Sequence, residues 1–109
     1  AGMHTNFSTR AMRDVNSGMN AIEEAVSKLG QLHSEHITRY GEGLGERLTG
    51  SHETCKMSEF KSGVSDRGAS IRIPMNTGQN GYGYIEDRRP GANADPYVVS
   101  ICLLESICI

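Results

Sequence analysis

The chain has 109 residues, of which 37% are hydrophobic, 22% are charged and 13 are glycines, a composition that excludes collagen and wholesale disorder. Eleven Lys and Arg against 13 Asp and Glu give a formal net charge of −2, so a tail that binds polyanions is not expected. Eight of the eleven basic residues are Arg, the side chain that binds carboxylates and phosphates bidentately. The length predicts one small domain, whereas the arginines indicate an anionic substrate.

The cysteines and the termini predict a cytoplasmic location. Three cysteines without a CxxC pair do not form a disulfide framework, which favours a reducing compartment. The first ten residues lack the apolar core of a signal peptide, and no apolar run is long enough to span a membrane. Because the chain starts and stops abruptly within patterned segments, we expect it to be a piece of a longer polypeptide.

Two elements are predicted in the first forty residues. Residues 1–10 alternate with period 2, which predicts a strand whose polar side carries His4, Asn6 and Ser8. Residues 18–40 place apolar side chains at helical spacing, which predicts one amphipathic helix. Asn16 or Ser17 is its expected N-cap, and its stop is the glycine at position 41.

The second half predicts a hairpin and a buried helix. The glycine-rich residues 41–45 lack the Gly-Lys-Ser/Thr of a phosphate-binding loop, and 46–70 reads as irregular. Residues 70–88 predict a β-hairpin with a turn at 78–81. Asp95 and Pro96 are typical of a helix start, and the helix over 96–109 is apolar nearly all round, which requires burial. The elements together predict an α+β fold with antiparallel strands.

The polar sides of the predicted strands carry similar side chains. If the strands are neighbours in one sheet, these sides merge into a polar wall of imidazole, carboxylate, guanidinium and phenol groups. Carboxylate and imidazole bind Mg²⁺ or Mn²⁺, and arginines bind phosphates, so the wall suits a nucleotide with a divalent cation. The alternative is a solvated sheet face. The side chains involved are His4, Asn6, Ser8, Arg67, Arg72, Tyr84, Glu86 and Arg88.

Four motifs in order resemble the carboxy-terminal part of a eukaryotic-type glutamine synthetase. They are HTNFS at 4–8, RLTGSHET at 47–54, RGASIRIP at 67–74 and GYIEDRRP at 83–90, and NADPY follows at 93–97. The resemblance implies that residues 1–109 form part of that family's catalytic domain. It also implies an ATP-dependent ligase that phosphorylates the γ-carboxylate of glutamate, after which ammonia displaces the phosphate.

The resemblance implies a role for each matched residue. His4 and Glu86 resemble ligands of the Mg²⁺ or Mn²⁺ ion. Glu53 resembles the flap carboxylate that helps to deprotonate ammonium. Arg47 and Arg88 resemble the groups that hold glutamate and the transferred phosphoryl group, with Arg88 also catalytic. Gly2 begins in the loop that meets the glutamate amino group, and the residues that resemble ATP contacts are Asn6, Ser8, Arg67, Arg72 and Tyr84.

The same resemblance implies partners and limits. Glutamate, ammonium and ATP are the expected substrates, and the intact protein is expected to form a homo-oligomer of stacked rings. Asp66 stands where Asn is usual in the family, and Ile85 where an aromatic residue is common. Since the other metal carboxylates of the family lie upstream of this segment, we expect the isolated chain to lack synthetase activity.

Two other functional classes stay open at this point. The first is a non-catalytic relative with a structural or regulatory role. The second, binding of nucleic acid through the arginines, is disfavoured because acids interleave with them.

Several residues are expected to be structural. The spacing of His33 and His36 indicates a partly exposed helix face and not a metal site. Arg89 is expected to bind neighbouring backbone and so hold the segment after the last strand in place. Cys102 and Cys108 are expected in the core of the last helix.

Overall fold

A computed structural model describes residues 2–41 and 59–109 as a four-stranded sheet covered on one face by helices. Each of the four strands has three residues, and the shortest α-helix has six. A 3-10 turn at Ala11–Arg13 follows the first strand. The elements are β1 (Thr5–Phe7), α1 (Gly18–Gln31), α2 (His33–Arg39), β2 (Ser62–Val64), β3 (Ile71–Ile73), α3 (Met75–Asn80), β4 (Ile85–Asp87) and α4 (Pro96–Cys108). The described residues thus have the predicted α+β composition.

The sheet has the order β1-β4-β3-β2, so strands distant in sequence lie side by side. β4 pairs antiparallel with both β1 and β3, as predicted. β2 and β3 are parallel, so the prediction of antiparallel strands is wrong for this pair, and β2 lies in a stretch that the sequence predicts to be irregular. The predicted pairing within residues 70–88 is therefore confirmed, but the tight turn is wrong. α3 joins the two strands instead and ends at Gly81, whose φ of +80° suits glycine.

The predicted helix over 18–40 is two helices, α1 and α2, because the backbone leaves helical geometry at Leu32. Gly30 lies where a Cβ atom would be 3.0 Å from the Phe60 ring, so this glycine admits the ring beside α1. Gly41 follows α2 with a φ of +100°, as the sequence predicts. The carboxylate that accepts hydrogen bonds at the start of α1 is Asp14, from the main-chain N–H of both Asn16 and Ser17.

The core lies between the helices and one face of the sheet. Ile22 and Leu29 of α1 pack there with Ile71, Ile85 and Met12. Burying such side chains stabilises the fold by about 1.5–3 kcal/mol each. The alternation of buried isoleucines with polar residues along β3 and β4 leaves the opposite face of the sheet polar.

The last helix is only half covered by the described residues. Asp95 accepts a hydrogen bond from the Tyr97 N–H at 2.9 Å, which confirms the predicted N-cap. Val99 and Cys102 face the core, whereas Ile101 is 43% exposed. The prediction that Cys108 is a core residue is wrong, because Cys108 lies in the last turn of α4 with its thiol exposed.

Candidate functional site

The sheet register brings the predicted polar side chains into rows on the face opposite the core, here called the outer face. Asn6 of β1 lies opposite Glu86 of β4, and Glu86 lies opposite Arg72 of β3. Side chains directly opposite each other in a sheet have Cβ atoms about 4.5–5.5 Å apart. The three strands are therefore neighbours, and the predicted merging of their polar sides into one wall is confirmed.

Four more of the predicted side chains flank the paired strands. His4 immediately precedes β1 and Arg88 immediately follows β4. At the other end, Ser8 immediately follows β1 and Tyr84 immediately precedes β4. Of the eight side chains predicted for the wall, three thus lie within β1, β3 and β4, and four lie one residue beyond the end of a strand.

A shallow pocket opens at one end of this face. It has a volume of about 260 Å³ and is lined by Asn6, Phe7, Ser8 and Tyr84. Tyr84 is 43% exposed, so its ring is accessible to a planar ligand. Arg13 is exposed and donates from Nη1 to Ser8 Oγ at 2.6 Å. Three of the five residues predicted to contact ATP therefore share one pocket.

The centre of the outer face is an ion pair within β4 and its continuation. Arg88 Nη1 donates to Glu86 Oε1 at 2.9 Å, and the two side chains are 4% and 18% exposed. Arg88 N–H also donates to Ser70 O at 2.9 Å. Glu86 is thus the more accessible member, while Arg88 is held within the sheet.

The metal-binding potential of the described residues is limited. His4 is exposed and immediately precedes β1, whereas Glu86 lies in the middle of β4 opposite Asn6. Within residues 2–41 and 59–109, no group of three or more His, Cys, Asp and Glu side chains is close enough to hold a metal. His4 and Glu86 fit a divalent cation only as two of its ligands, because hard cations take six or more ligands.

Two predicted arginines occupy different surroundings. Arg72 lies beside Glu86, and its buried Nε has no hydrogen-bond partner among the described residues. Arg67 is exposed in the turn between β2 and β3. The neighbouring Asp66 accepts from the Gly68 N–H at 2.8 Å, so one of its carboxylate oxygens is engaged by the turn itself.

The remaining predicted residues lie at or beyond the edge of the described structure. Gly2 forms an isolated antiparallel bridge with Gly91, and Met3 N–H donates to Pro90 O at 3.0 Å. Arg47 and Glu53 lie outside the described residues.

The inner face of the sheet carries a buried polar network that the sequence analysis missed. Asp87 and Arg89 are each 1% exposed and form a two-point ion pair, with Arg89 Nε to Asp87 Oδ1 at 2.9 Å and Arg89 Nη2 to Asp87 Oδ2 at 3.0 Å. Tyr40 donates its hydroxyl to Asp87 Oδ2 at 2.7 Å. Burial, and then the charge of Asp87, raise the pKa of Tyr40, so its hydroxyl stays protonated as a donor.

Two histidines complete this network. Arg89 Nη1 lies 3.0 Å from His33 Nδ1, and Arg89 Nη2 lies 3.2 Å from His36 Nδ1. Both histidines are buried, so the prediction of a partly exposed helix face is wrong. Arg89 is structural as predicted, but its contacts are with side chains of α2 and β4 more than with backbone. The signal for this network was the polar aromatic stripe at positions 33, 36 and 40 on one side of the helix.

The described residues contain no helix long and apolar enough to cross a bilayer.

Comparison with known proteins finds glutamine synthetases over almost the whole chain. It is 59% identical over 106 residues to the chloroplastic glutamine synthetase of Chlamydomonas reinhardtii, covering 97% of the chain and 28% of that protein. Similar matches are the glutamine synthetases of Kluyveromyces lactis, 55% identical over 99% of the chain and 29% of that protein, and Agaricus bisporus, 56% identical over 97% of the chain and 30% of that protein. No protein-family model matches the chain. The chain therefore spans less than a third of the length of these curated relatives.

Proposed function

Because this chain belongs to the glutamine synthetase family, as part of an enzyme of the eukaryotic type, we propose that it supplies the nucleotide side and one metal-binding edge of a glutamine synthetase site. The reaction is ATP-dependent ligation of ammonia to L-glutamate. A γ-carboxylate oxygen of glutamate attacks the γ-phosphorus of ATP and ADP leaves. Ammonia then attacks the acyl carbon, and phosphate leaves to give glutamine. The observation that carries the proposal is the row of Asn6, Glu86 and Arg72 across three strands.

The nucleotide is proposed to bind at the pocket beside this row. The accessible Tyr84 ring stacks on the adenine, and Asn6 and Ser8 offer hydrogen bonds to the nucleotide. Arg72 directs a guanidinium toward the phosphates, and its unpartnered Nε supports this role, since a buried donor without a partner is costly. Arg67 supplies a second phosphate contact from its turn.

The metal edge is formed by His4 and Glu86. When bound, Mg²⁺ or Mn²⁺ neutralises charge on the transferred phosphoryl group. Glu86 offers its accessible carboxylate, while Arg88 holds that carboxylate in place and binds the anionic substrate. Arg47 and Gly2 are proposed as further glutamate contacts, and Glu53 as the base that takes a proton from ammonium.

The remaining ligands of the cation are proposed to come from the rest of the enzyme, since the chain spans less than a third of its relatives. We accordingly propose that residues 1–109 are part of the synthetase catalytic domain and that the isolated chain has no synthetase activity. The complete protein is proposed to form stacked rings in the cytoplasm, although one relative is named as chloroplastic. A γ-glutamyl transfer assay on the purified chain with Mn²⁺ and ADP tests the inactivity, and turnover near that of an intact enzyme would contradict it.

Nucleotide binding is tested by calorimetric titration of the chain with ATP in the presence of Mg²⁺. Tyr84→Ala is expected to weaken binding, because stacking on a base contributes about 1–3 kcal/mol, roughly 5- to 150-fold in affinity. Tyr97→Ala is the matched control, since Tyr97 is 80% exposed on α4, outside the pocket. Equal loss in both variants, or no ATP binding by the unsubstituted chain at millimolar nucleotide, would refute the proposed site.

A second candidate is a non-catalytic relative with a structural or regulatory role. The observation that favours it is the lack of a three-ligand metal cluster within the described ranges. This alternative predicts that ATP and Mg²⁺ leave the thermal unfolding of the chain unchanged, whereas the synthetase site predicts a saturable rise in the unfolding midpoint.

A further inference from the structure

The outer and inner faces of β4 are linked through consecutive residues. Glu86 and Arg88 point outward, whereas Asp87 and Arg89 are buried on the inner face. Arg89 N–H donates to Asp87 Oδ1 at 3.1 Å, in addition to the two side-chain contacts of that pair. The backbone on both sides of Arg88 is therefore fixed by the orientation of one guanidinium, that of Arg89.

The histidines of α2 determine that orientation. Arg carries only donors and stays protonated, so His33 Nδ1 and His36 Nδ1 both accept from it and both rings are neutral. The proton of the neutral His36 ring is then on Nε2, which donates to Ser106 Oγ at 2.8 Å. Ser106 Oγ in turn donates to Cys102 O at 2.6 Å.

This series of hydrogen bonds links α4, α2 and the residues that follow β4, and every donor in it meets an acceptor. It starts at the α4 backbone, passes through Ser106 and His36, and ends at Arg89 beside Asp87. Among residues 2–41 and 59–109, the charged or titratable groups that influence His36 are Arg39 and His33 on α2, and Arg89 and Asp87 at β4. Burial first, and then the positive charge of Arg89, lower the pKa of His36 to about 4, consistent with the neutral ring that the contacts require.

We propose that His36, supported by Ser106 and together with His33, is a positioning residue for the outer face: it orients Arg89 and thereby sets the backbone that presents Glu86 and Arg88. Its role as support for metal binding rests on the proposed function. Groups that hydrogen-bond a metal ligand directly typically contribute 10- to 100-fold in metal affinity, and His36 acts on Glu86 less directly, through Arg89 and Asp87.

The first test measures the outer-face backbone and needs no metal. Amide hydrogen exchange of Arg88, whose N–H donates to Ser70 O, is compared with that of Ser70, whose N–H donates to Lys61 O, in the same 109-residue chain. His36→Leu is expected to raise the ratio of the Arg88 exchange rate to the Ser70 exchange rate by about tenfold. The Arg88 amide would then exchange through local opening of the backbone, which occurs more often than global unfolding. His36→Gln retains an acceptor for Arg89 and is expected to keep the ratio within about twofold.

Val99→Ala is the matched control, since Val99 is a buried α4 residue that lowers global stability when truncated but makes no contact with Arg89 in the network above. Should His36→Leu fail to fold, Ser106→Ala removes the acceptor of His36 Nε2–H and is expected to raise the ratio in the same direction. An unchanged ratio in the folded variant, or the same increase in Val99→Ala, would overturn the proposal.

The second test measures Mn²⁺ affinity per folded molecule by electron paramagnetic resonance of the free ion. His36→Leu is expected to weaken binding by up to about tenfold, with His36→Gln and Val99→Ala close to the unsubstituted chain. The exchange ratio decides the positioning role whether or not the unsubstituted chain, with only two of the proposed ligands, binds Mn²⁺. Binding that is equal in all variants would overturn the link between His36 and the site.

Discussion

The buried imidazole of His36 makes the unfolding free energy of this chain depend on pH below neutrality. Burial and the nearby charge of Arg89 lower the pKa of His36 from 6.5 to about 4. Between these values the unfolded chain binds a proton that the folded chain does not, so this stability is fully present above pH 6.5 and is lost as the pH falls toward 4. At about 1.4 kcal/mol for each pH unit, the loss reaches about 3 kcal/mol at pH 4.

Urea unfolding followed by far-ultraviolet circular dichroism at pH 7.5 and pH 4.5 measures this loss. The His36→Gln variant isolates it, because Gln accepts from Arg89 but does not titrate. Asp14, whose pKa is lowered by hydrogen bonds from the main chain of Asn16 and Ser17 and from the Ser17 hydroxyl, responds to acid equally in both proteins. At pH 4.5 the unsubstituted chain is expected to lose about 2.5 kcal/mol more than the variant, about 1–2 M in urea midpoint.

Equal losses in the two proteins would refute the reasoning, because the neutral ring would then contribute nothing specific to the folded state. A direct nuclear magnetic resonance titration gives a second criterion. If the His36 ring titrated near 6.5 in the folded chain, the contact with Arg89 would not require a neutral imidazole, and the network described above would be wrong.

Three further predictions about the fold are tested by urea unfolding at pH 7.5. Arg89→Met is expected to lower the free energy of unfolding by about 3–5 kcal/mol, because it leaves Asp87 as a buried, uncompensated charge. Adding Asp87→Leu is expected to recover part of that loss, and a double variant less stable than the single one would contradict this. Leu29→Ala, in the core, is expected to cost about 2–5 kcal/mol, while Leu104→Ala, 46% exposed on α4, is expected to change stability by less than about 1 kcal/mol; similar losses would place Leu29 outside the core. Asp95→Ala removes the acceptor for the main chain of α4 and is expected to cost about 1 kcal/mol, and Asp95→Asn, which retains an acceptor, is expected to recover most of it.

Features that depend on residues close together along the chain were predictable from the sequence. The alternation around Arg72 and Glu86 assigned both to one side of their strands, and the structure places them opposite each other. The Asp95–Pro96 pair predicted where the last helix begins, because capping and the fixed φ of proline are local properties. The four ordered motifs were enough to identify the family, since they depend on residue identity alone.

The arrangement of elements beside one another and the burial of polar groups could be learned only from the three-dimensional structure. Strand order depends on pairing between residues far apart in sequence. The sequence therefore allowed β1 to be only assumed beside β4, and the structure shows that it lies there. The burial of His33 and His36 has the same physical reason. A buried guanidinium at Arg89 needs acceptors, and α2 supplies them from a position more than 50 residues away in sequence, a separation that helical periodicity does not register.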